Sequence, residues 1–490
     1  MMHFLSAILL VMLFQANACA QKRSLVLDDV YRIKDVSEPD ISPDGNWAVY
    51  TVHELHKNTN KTSTNLWLIS LLTKQTKQIT FTKIDTNSLP KWSPDGKWLA
   101  FLSDSDDAGT QIRLIAAQSN KEIQLTHFNG SITDYTWSPD SKEIAFVAKA
   151  NKMGDASDSE AKPIVIDRYQ FKDDEQGGYL TDSRSHLYLF NLLTKETNLL
   201  TPGSHDEYLP AWSPNGKYIA YVKKRGKDPD RDFRYDIFII SPHKDMSESQ
   251  LTYYPGNNMD PDFESNLDWN PQSSKIAYLR TKEDKWSYYS PYQLAVVDLN
   301  THQEQLVTSL DKWCAKPQWS ADGTAIYALI EESRQTHLNK INLKTGLIQK
   351  LTHGLSQDKD FVIGQEKIVL LSTDDLHPPE LFLMKFNQEL KWGSLTHQNQ
   401  KLLDEVKFQP AQDFEFNSFD GLKIQGLLMK PFNSVPEKKL PTFLYLHGGP
   451  VDQFTHEFDF DLQWLAANGY AVIAPNPRGS SGRGFKFARA

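Results

Sequence analysis

Residues 92–96 read Trp-Ser-Pro-Asp-Gly, and this phrase recurs with small changes along most of the 490-residue chain. The six copies begin at Ile41, Trp92, Trp137, Trp212, Trp269 and Trp319. Their starts lie 51, 45, 75, 57 and 50 residues apart, and a period of this size is typical of the four-stranded blade of a β-propeller. The long 75-residue interval indicates an insertion.

Each copy has the chemistry of a tight turn between two antiparallel strands. Proline presets φ for the turn, and the Asp-Gly or Asn-Gly pair that follows accommodates the left-handed position. The turn joins a strand that ends at the tryptophan to a second strand, such as residues 97–102. An alternating third strand and a short closing strand that ends in an apolar-Thr pair, such as Leu125-Thr126, complete the unit. The pattern therefore predicts four strands per unit.

A seventh unit is predicted although it does not contain a recognisable copy of the turn motif. Phe361 and Ile368 are seven residues apart, the spacing that separates Trp92 from Leu99. An alternating strand at 381–384 and the pair at 395–396 follow in the expected order. The predicted fold class is thus an all-β, seven-bladed propeller, and its repeated tryptophans are assigned to blade cores without a catalytic role.

Two polar and charged stretches interrupt the period, at residues 149–184 and 223–234. Loops of this length are often functional, but charge runs are commonly solvated excursions, and both interpretations stand. The longer stretch is expected on a rim or face of the propeller and not within a blade. Glu331 and Glu332 form an acidic pair of the kind that binds amines, but their position after a blade strand favours a structural role.

The composition excludes several classes of protein. With 62 acidic and 53 basic residues the formal charge is −9, which argues against a basic face for nucleic acid or anionic lipid. Cys19 and Cys314 are the only cysteines in the sequence, so neither a disulfide framework nor a multi-thiolate metal site is predicted.

The amino terminus has the pattern of an export signal. Residues 4–14 form an apolar run that is too short to span a bilayer, which needs roughly 20 residues. Ala18-Cys19-Ala20 offers a signal-peptidase site, so cleavage before Gln21 and a periplasmic or secreted location are expected. Lipidation of Cys19 is the alternative.

After Thr396 the pattern changes to that of an α/β unit. Two strands joined by an Asp-Gly turn at 420–421 precede an apolar run at 442–446. A helix is predicted over 458–468, closed by Gly469, and a further buried strand over 470–474. Strand, glycine-rich loop, helix and strand in this order indicate the parallel strands of the N-terminal part of an α/β-hydrolase domain.

The glycine-rich loop at 447–450, His-Gly-Gly-Pro, directly follows the apolar run. Glycines there let backbone N–H groups face a substrate carbonyl, and the α/β-hydrolase fold takes one oxyanion-hole donor from the loop after its third strand. Gly449 is the candidate donor, and Gly448 is expected to permit the turn. The alternative is a plain strand-to-helix turn without a catalytic role.

The propeller repeat is followed by Ser-Phe-Asp-Gly at 418–421, His-Gly-Gly-Pro at 447–450 and Asn-Pro-Arg-Gly-Ser at 476–480. The order of these motifs resembles that of the prolyl oligopeptidase family of serine peptidases. The amino-acid sequences of the last two motifs are most similar to those of the acylaminoacyl-peptidase and secreted dipeptidyl-peptidase branch. The resemblance implies a propeller that gates a Ser-Asp-His site for short peptides, with no metal or organic cofactor. Arg483 departs from the tyrosine common in the family. Non-catalytic TolB-like binding propellers carry the same repeat and are the rival interpretation.

The nucleophile elbow Gly-x-Ser-x-Gly does not occur in residues 1–490. Ser480 and Ser481 have the wrong spacing and follow the fourth hydrolase strand, whereas the fold places its nucleophile after the fifth. His447 is therefore not predicted to be the triad base, and no catalytic side chain is assigned. The expected organisation is a signal peptide at 1–20, an N-terminal segment at 21–36, the propeller at 37–400 and an incomplete hydrolase domain at 401–490, inactive alone.

Overall fold

The structure is a computed structural model that describes residues 22–490, apart from 106–108, 118, 120, 152–164, 167, 174–177, 181–182, 233, 245, 264, 283, 387–390, 436–438 and 450. The predicted signal peptide at 1–20, with Cys19, and the expected cleavage point before Gln21 lie outside the described residues. Within the described part, no helix is both long and apolar enough to cross a membrane.

Seven four-stranded antiparallel units follow one another along the described chain, which confirms the seven-bladed propeller. The first two blades are β1 (Lys34–Ile41), β2 (Trp47–His56), β3 (Lys61–Ser70), β4 (Thr76–Gln78), and β5 (Asn87–Trp92), β6 (Trp98–Ser103), β7 (Gln111–Ala116), β8 (Glu122–Gln124). Blade 3 comprises β9 (Gly130–Trp137), β10 (Glu143–Ala150), β13 (Ser185–Asn191) and β14 (Thr197–Leu199), while β11 (Lys172–Asp173) and β12 (Gly178–Tyr179) pair separately between them.

The remaining four blades repeat the same order of strands. Blades 4 and 5 are β15 (Glu207–Trp212), β16 (Ile219–Lys224), β17 (Tyr235–Ile240), β18 (Glu248–Gln250), and β19 (Asp268–Trp269), β20 (Lys275–Arg280), β21 (Gln293–Asp298), β22 (Glu304–Leu306). Blades 6 and 7 are β23 (Cys314–Trp319), β24 (Ala325–Glu332), β25 (Gln335–Asn342), β26 (Ile348–Lys350), and β27 (Gln357–Ile363), β28 (Lys367–Asp374), β29 (His377–Lys385), β30 (Gly393–Ser394). One parallel pair, Thr336 with Gln357, joins these last two blades. Short 3-10 helices span Leu27–Arg32, Pro261–Phe263 and Asp284–Tyr289.

The repeated phrase forms the turn between the first and second strand of a blade. In blade 2, the Ser93 hydroxyl donates to Asp95 at 2.7 Å and accepts the Trp98 N–H at 3.0 Å, while Gly96 has a φ of +69°. The other complete copies share this geometry, because the phrase supplies its own hydrogen-bond partners and the left-handed residue. The anchor residues that end the first strands are buried, except that Trp92 is half-buried.

Neighbouring blades are joined through the anchor tryptophans. The indole N–H groups of Trp137, Trp269 and Trp319 donate to backbone carbonyls of the preceding blade, at 3.2, 3.0 and 3.1 Å respectively. The carboxylate of Asp268 accepts the backbone N–H of Trp319 at 2.6 Å, and burial raises the pKa of Asp268 to about 7. These three tryptophans therefore both fill their own blades and bind them to the preceding blades.

In six of the seven blades, the threonine of the closing pair bonds to the third strand of its own blade. The hydroxyls of Thr80, Thr126, Thr201, Thr252, Thr352 and Thr396 accept a backbone N–H of that strand at 2.8–3.0 Å. The closing strands themselves end before these pairs, which is a small correction to the predicted boundaries. The apolar-Thr pair therefore has a structural role, because its hydroxyl joins the closing segment to the third strand of the blade.

The described part of the insertion between β10 and β13 lies outside the blade sheets, as predicted. β11 and β12 form a two-stranded hairpin, and Arg168 in the same segment pairs with Asp230 of the loop after β16 at 2.5 Å. Both interrupting stretches connect the second to the third strand of their blades. Equivalent connections of a propeller lie at one end of it, so the two loops share an end with the connection of blade 6.

The final segment forms a mixed four-stranded sheet in the order β31–β32–β34–β33. The strands are β31 (Gln412–Asn417), β32 (Lys423–Met429), β33 (Thr442–Leu444) and β34 (Ala471–Asn476), with helices α1 (Gln400–Glu405), α2 (Phe460–Ala467) and α3 (Phe485–Ala488). β33 pairs in parallel with β34, whereas β31, β32 and β34 pair antiparallel. This combination is an α/β-hydrolase start, as the order of elements predicted, and is called the α/β unit below.

Helix α2 packs on this sheet. The Asp459 carboxylate caps its first turn by accepting the Leu462 N–H at 3.0 Å, and Gly469, with a φ of +91°, follows its last residues as predicted. Leu462 and Ala466 are buried against Leu427 and Val472. The helix is shorter than the predicted 458–468, and its buried residues include Gln463 beside Leu462 and Ala466.

Candidate active site

Residues 447–449, the described part of the glycine-rich loop, follow the carboxyl end of β33, where the α/β-hydrolase fold places its oxyanion loop. Gly448 and Gly449 are both exposed. Gly449 has a φ of +128°, and a Cβ built there would lie 2.7 Å from the backbone nitrogen of Val451. The backbone therefore requires glycine at 449, whereas nothing lies within 4 Å of a Cβ built at Gly448 and its φ is not positive. The conformational demand expected of Gly448 falls on Gly449.

The N–H of Gly449 has no hydrogen-bond partner among the residues that the structure describes. A backbone donor that is exposed and unpaired at the end of a parallel strand is free to bind an incoming carbonyl oxygen. The predicted oxyanion donor thus has the accessibility that its role demands.

His447 connects this loop to the one after β34. Its Nε2 lies 2.8 Å from Ser480 Oγ, and its Nδ1 lies 2.8 Å from the carbonyl oxygen of Gly448. Within the described ranges no carboxylate pairs with His447. His447 therefore lacks the acidic partner that orients the histidine of a catalytic triad. The contact makes His447 a bridge between two loops.

A second set of bonds joins the same two loops. The side-chain amide of Asn476 accepts the Phe454 N–H at 2.8 Å and donates to the Phe454 carbonyl at 3.0 Å. The Ser481 N–H donates to the carbonyl of Asp452 at 2.9 Å. Arg483, the departure from the family pattern, donates to the Lys423 carbonyl at 2.6 Å and lies over the Phe487 ring, so it packs within the α/β unit.

Blade 6 of the propeller contacts both loops, which sequence reasoning did not anticipate. Ser481 Oγ and Gln453 Nε2 donate to Glu331 Oε1 at 2.5 and 2.7 Å. Burial raises the pKa of Glu331 to about 7. Glu332 points elsewhere and pairs with Lys312 and Lys350 at 3.1 and 2.9 Å. The two glutamates are therefore not a joint amine site, but Glu331 is an interdomain contact and more than an ordinary blade residue.

A second interdomain cluster surrounds His456, which is fully buried. His456 Nδ1 lies 3.1 Å from Asp375 of blade 7, and Nε2 lies 3.3 Å from Asp413 of β31. Arg334 of blade 6 pairs with the same Asp413 at 2.6 Å. Burial alone would lower the pKa of His456, but the hydrogen bond and charge of Asp375, with the charge of Asp413, raise it above its usual value. No sequence pattern signals this cluster, because its members come from four separate segments.

Comparisons with known proteins agree with this geometry. The sequence model of the prolyl oligopeptidase family matches residues 456–490. The uncharacterized peptidase YuxL of Bacillus subtilis is 26% identical over 489 residues, covering 96% of this chain and 73% of that protein. Dipeptidyl-peptidase 5 of Porphyromonas gingivalis is 28% identical over 482 residues, covering 92% of this chain and 67% of that protein.

Solved structures share the fold. An acylaminoacyl peptidase in complex with Z-Gly-Gly-Phe-chloromethyl ketone superposes with a TM-score of 0.76 at 20% identity, covering 94% of this chain and 67% of that one. A puromycin-hydrolyzing peptidase of Mycobacterium tuberculosis gives a TM-score of 0.69 at 14% identity, covering 94% and 69%. Fold and loop together define a propeller joined to a hydrolase unit. The carboxyl-terminal segment thus matches the model of the prolyl oligopeptidase family, and the relatives that align with most of the chain are named as peptidases.

Proposed function

We propose that this protein hydrolyses oligopeptides or acyl-peptides by a serine-type mechanism in which the N–H of Gly449 is one oxyanion donor. The observation that carries the proposal is the exposed and unpaired N–H of Gly449 at the carboxyl end of β33. An oxyanion-hole donor is worth roughly 10²–10³ in kcat when it is aimed at the developing charge. Gly448 is the neighbouring backbone group of the same proposed hole.

The propeller is proposed to limit which substrates reach this site. The loops of blades 3 and 4 lie at the propeller end to which the α/β unit binds through Glu331 and Asp375. A peptide therefore has to pass these loops or the propeller itself, which favours short chains over folded proteins. The dipeptidyl-peptidase and acylaminoacyl-peptidase names of the relatives agree with this substrate class.

The division of labour along the chain is also part of the proposal. Residues 1–20 are proposed to direct export and to be removed before Gln21, residues 37–400 to form the gate, and residues 401–490 to supply the oxyanion loop. The elbow sequence is not among residues 1–490, so we propose that this polypeptide by itself does not turn over.

A fluorophosphonate probe tests the proposal. The purified polypeptide of residues 21–490 should remain unlabelled and should not hydrolyse acyl-peptide or dipeptide chromogenic substrates, because the nucleophile is absent from it. Stoichiometric labelling of a serine, with turnover abolished by replacing that serine, would contradict the inactivity. Reading the gene past codon 490 separates the functions. A Gly-x-Ser-x-Gly sequence within the next ~100 codons supports the peptidase, and a stop codon there favours a non-catalytic binding propeller.

A further inference from the structure

We propose that Gln453 is a positioning residue through which the propeller holds the candidate oxyanion loop in place. The inference rests on the proposed function of Gly449 and adds a form of regulation to it, because an ordered oxyanion donor then requires the docked propeller. Gln453 lies four residues after Gly449 in sequence and is buried, with 7% of its surface exposed.

The side-chain amide of Gln453 is fully engaged by blade 6. Its Oε1 accepts the backbone N–H of Arg334 at 2.8 Å. Its Nε2 donates one hydrogen to Glu331 Oε1 at 2.7 Å and the other to the Glu332 carbonyl at 2.8 Å. Glu331 and Glu332 are the last two residues of β24, and Arg334 lies in the connection from β24 to β25. Only a primary amide offers this combination of one acceptor and two donors.

The hydrogen bonds form a closed circuit that includes the loop after β34. Ser481 Oγ donates to the same Glu331 oxygen at 2.5 Å, and the Ser481 N–H donates to the carbonyl of Asp452 at 2.9 Å. Asp452 is the residue before Gln453, so the circuit returns to the oxyanion loop. Each link restrains the next, which makes the position of residues 452–453 depend on Glu331 of the propeller.

Packing restrains the amide from another side. A Cβ built at Gly482, where φ is +76°, would lie 2.4 Å from Gln453 Oε1. Glycine is therefore required at 482 for the loop to close over the amide. The contact with Gln453 is thus a tertiary reason for glycine at 482, in addition to its positive φ.

The chain on the far side of Gln453 is fixed as well. The N–H of Phe454 donates to Asn476 Oδ1 at 2.8 Å, and the N–H of His456 donates to the Arg334 carbonyl at 2.9 Å. Gly448 and Gly449 are exposed. Their position is restrained by β33 and by His447, which contacts the Gly448 carbonyl and Ser480, on one side. On the other side it is restrained by the anchored residues 452–456.

The consequence for catalysis follows from preorganisation. An oxyanion donor contributes only when it is already aimed, and a misplacement of about 1 Å can cost on the order of 10² in rate. Separation of the propeller from the α/β unit removes the partners of Gln453 and releases the loop. The arrangement therefore restricts chemistry to the closed molecule.

Hydrogen exchange measured by mass spectrometry on the 490-residue chain tests this. Gln453→Ala should raise the exchange rates of peptides that contain the protected amides of Phe454, His456 and Ser481 at least tenfold, while β24 and β25 stay unchanged. Glu332→Gln is the matched control, because this side chain belongs to the same strand end but pairs with lysines of the propeller. The control should remain within twofold of the wild type.

A size-matched variant separates positioning from the loss of side-chain volume. Gln453→Glu keeps the size of the side chain but has no donor for Glu331 or for the Glu332 carbonyl, so it should accelerate exchange of the same peptides at least as much as Gln453→Ala. Exchange within twofold of the wild type in both Gln453→Ala and Gln453→Glu would overturn the proposal. The experiment does not measure peptide hydrolysis. The result of the exchange measurement is therefore independent of whether the proposed activity is found.

Discussion

The indole nitrogen of an anchor tryptophan determines whether that residue only fills its blade or also ties it to a neighbour. Trp319 donates to the Asp268 carbonyl of blade 5 at 3.1 Å. The equivalent nitrogen of Trp212 is buried and has no partner among the described residues. Both side chains are 8% exposed, so they differ in bonding and not in burial.

Replacing these tryptophans by phenylalanine measures the interblade bond. Trp319→Phe should lower the free energy of unfolding by about 1 kcal/mol more than Trp212→Phe. Only Trp319→Phe removes a hydrogen bond and leaves the accepting carbonyl without that donor. Urea unfolding followed by circular dichroism checks the difference. Equal losses in the two variants would mean that the indole bonds do not stabilise the propeller.

His456 should make the docking of the α/β unit dependent on pH. Folding raises its pKa above the unfolded value, which is about 6.5. The stabilisation is therefore complete below that pH and is lost as the pH rises through the folded pKa. His456→Gln should cost about 3 kcal/mol at low pH, because Asp375 and Asp413 lose a charged partner, and distinctly less at pH 9. Urea midpoints of both proteins at pH 6 and pH 9 measure this, and an equal cost at both values would contradict it.

The closing strands are too short to hold their blades by backbone pairing alone. Most contain three residues, and the last contains two. The threonine that follows supplies a side-chain bond to the neighbouring strand, as Thr126 does by accepting the Ile112 N–H at 2.9 Å and donating to Gln111 at 2.9 Å. Thr308 holds the same place in blade 5, but its buried hydroxyl has no partner in the described part of the chain.

The two threonines form a matched pair for testing this cap. Thr126→Val should destabilise the propeller by about 2 kcal/mol, because the buried Ile112 N–H loses its partner and the Gln111 amide oxygen loses one of its two donors. Thr308→Val should be neutral or slightly stabilising, since it removes an unpaired hydroxyl at similar volume. Thermal unfolding of both variants gives the comparison. A larger loss in Thr308→Val would show that the hydroxyl bond is not what fixes the closing strand.

At the scale of the described molecule, polar contacts join the propeller to the α/β unit, while the apolar surface of the α/β unit is partly exposed. Glu331, Arg334 and Asp375 contact the unit from blades 6 and 7. β33 is the edge of the α/β sheet, and Phe443, Leu444 and Leu446 are 44%, 63% and 64% exposed. An apolar strand edge of this kind is prone to association.

We therefore expect the 490-residue chain to aggregate through β33. Leu444→Lys combined with Leu446→Lys should keep it monomeric, because charges on an edge oppose strand pairing. A chain ending at Thr396 should be soluble for the same reason, since it lacks this strand. Light scattering during concentration measures the difference, and Leu193→Lys, at an exposed turn of the propeller, is the control that should not help. Aggregation of the double variant at the wild-type rate would contradict the assignment.

The sequence by itself determined the blade count, the order of strands and the glycine loop. Each turn phrase carries its own hydrogen-bond partners and its left-handed residue, so its structure depends on neighbours in sequence. The sequence also located the glycine pair, but it assigned the turn to Gly448, whereas the positive φ belongs to Gly449.

Only the tertiary structure decided how the two parts of the molecule meet. Gln453 and Glu331 are 122 residues apart in sequence, and His456 and Asp375 are 81 apart. Single Gln, Glu, His and Asp residues carry no periodic signal, and their role depends on which segment folding brings opposite them. The same holds for the anchor tryptophans: the indole N–H of Trp319 is bonded and that of Trp212 has no described partner, although their turn motifs are similar, because the accepting carbonyl belongs to another blade.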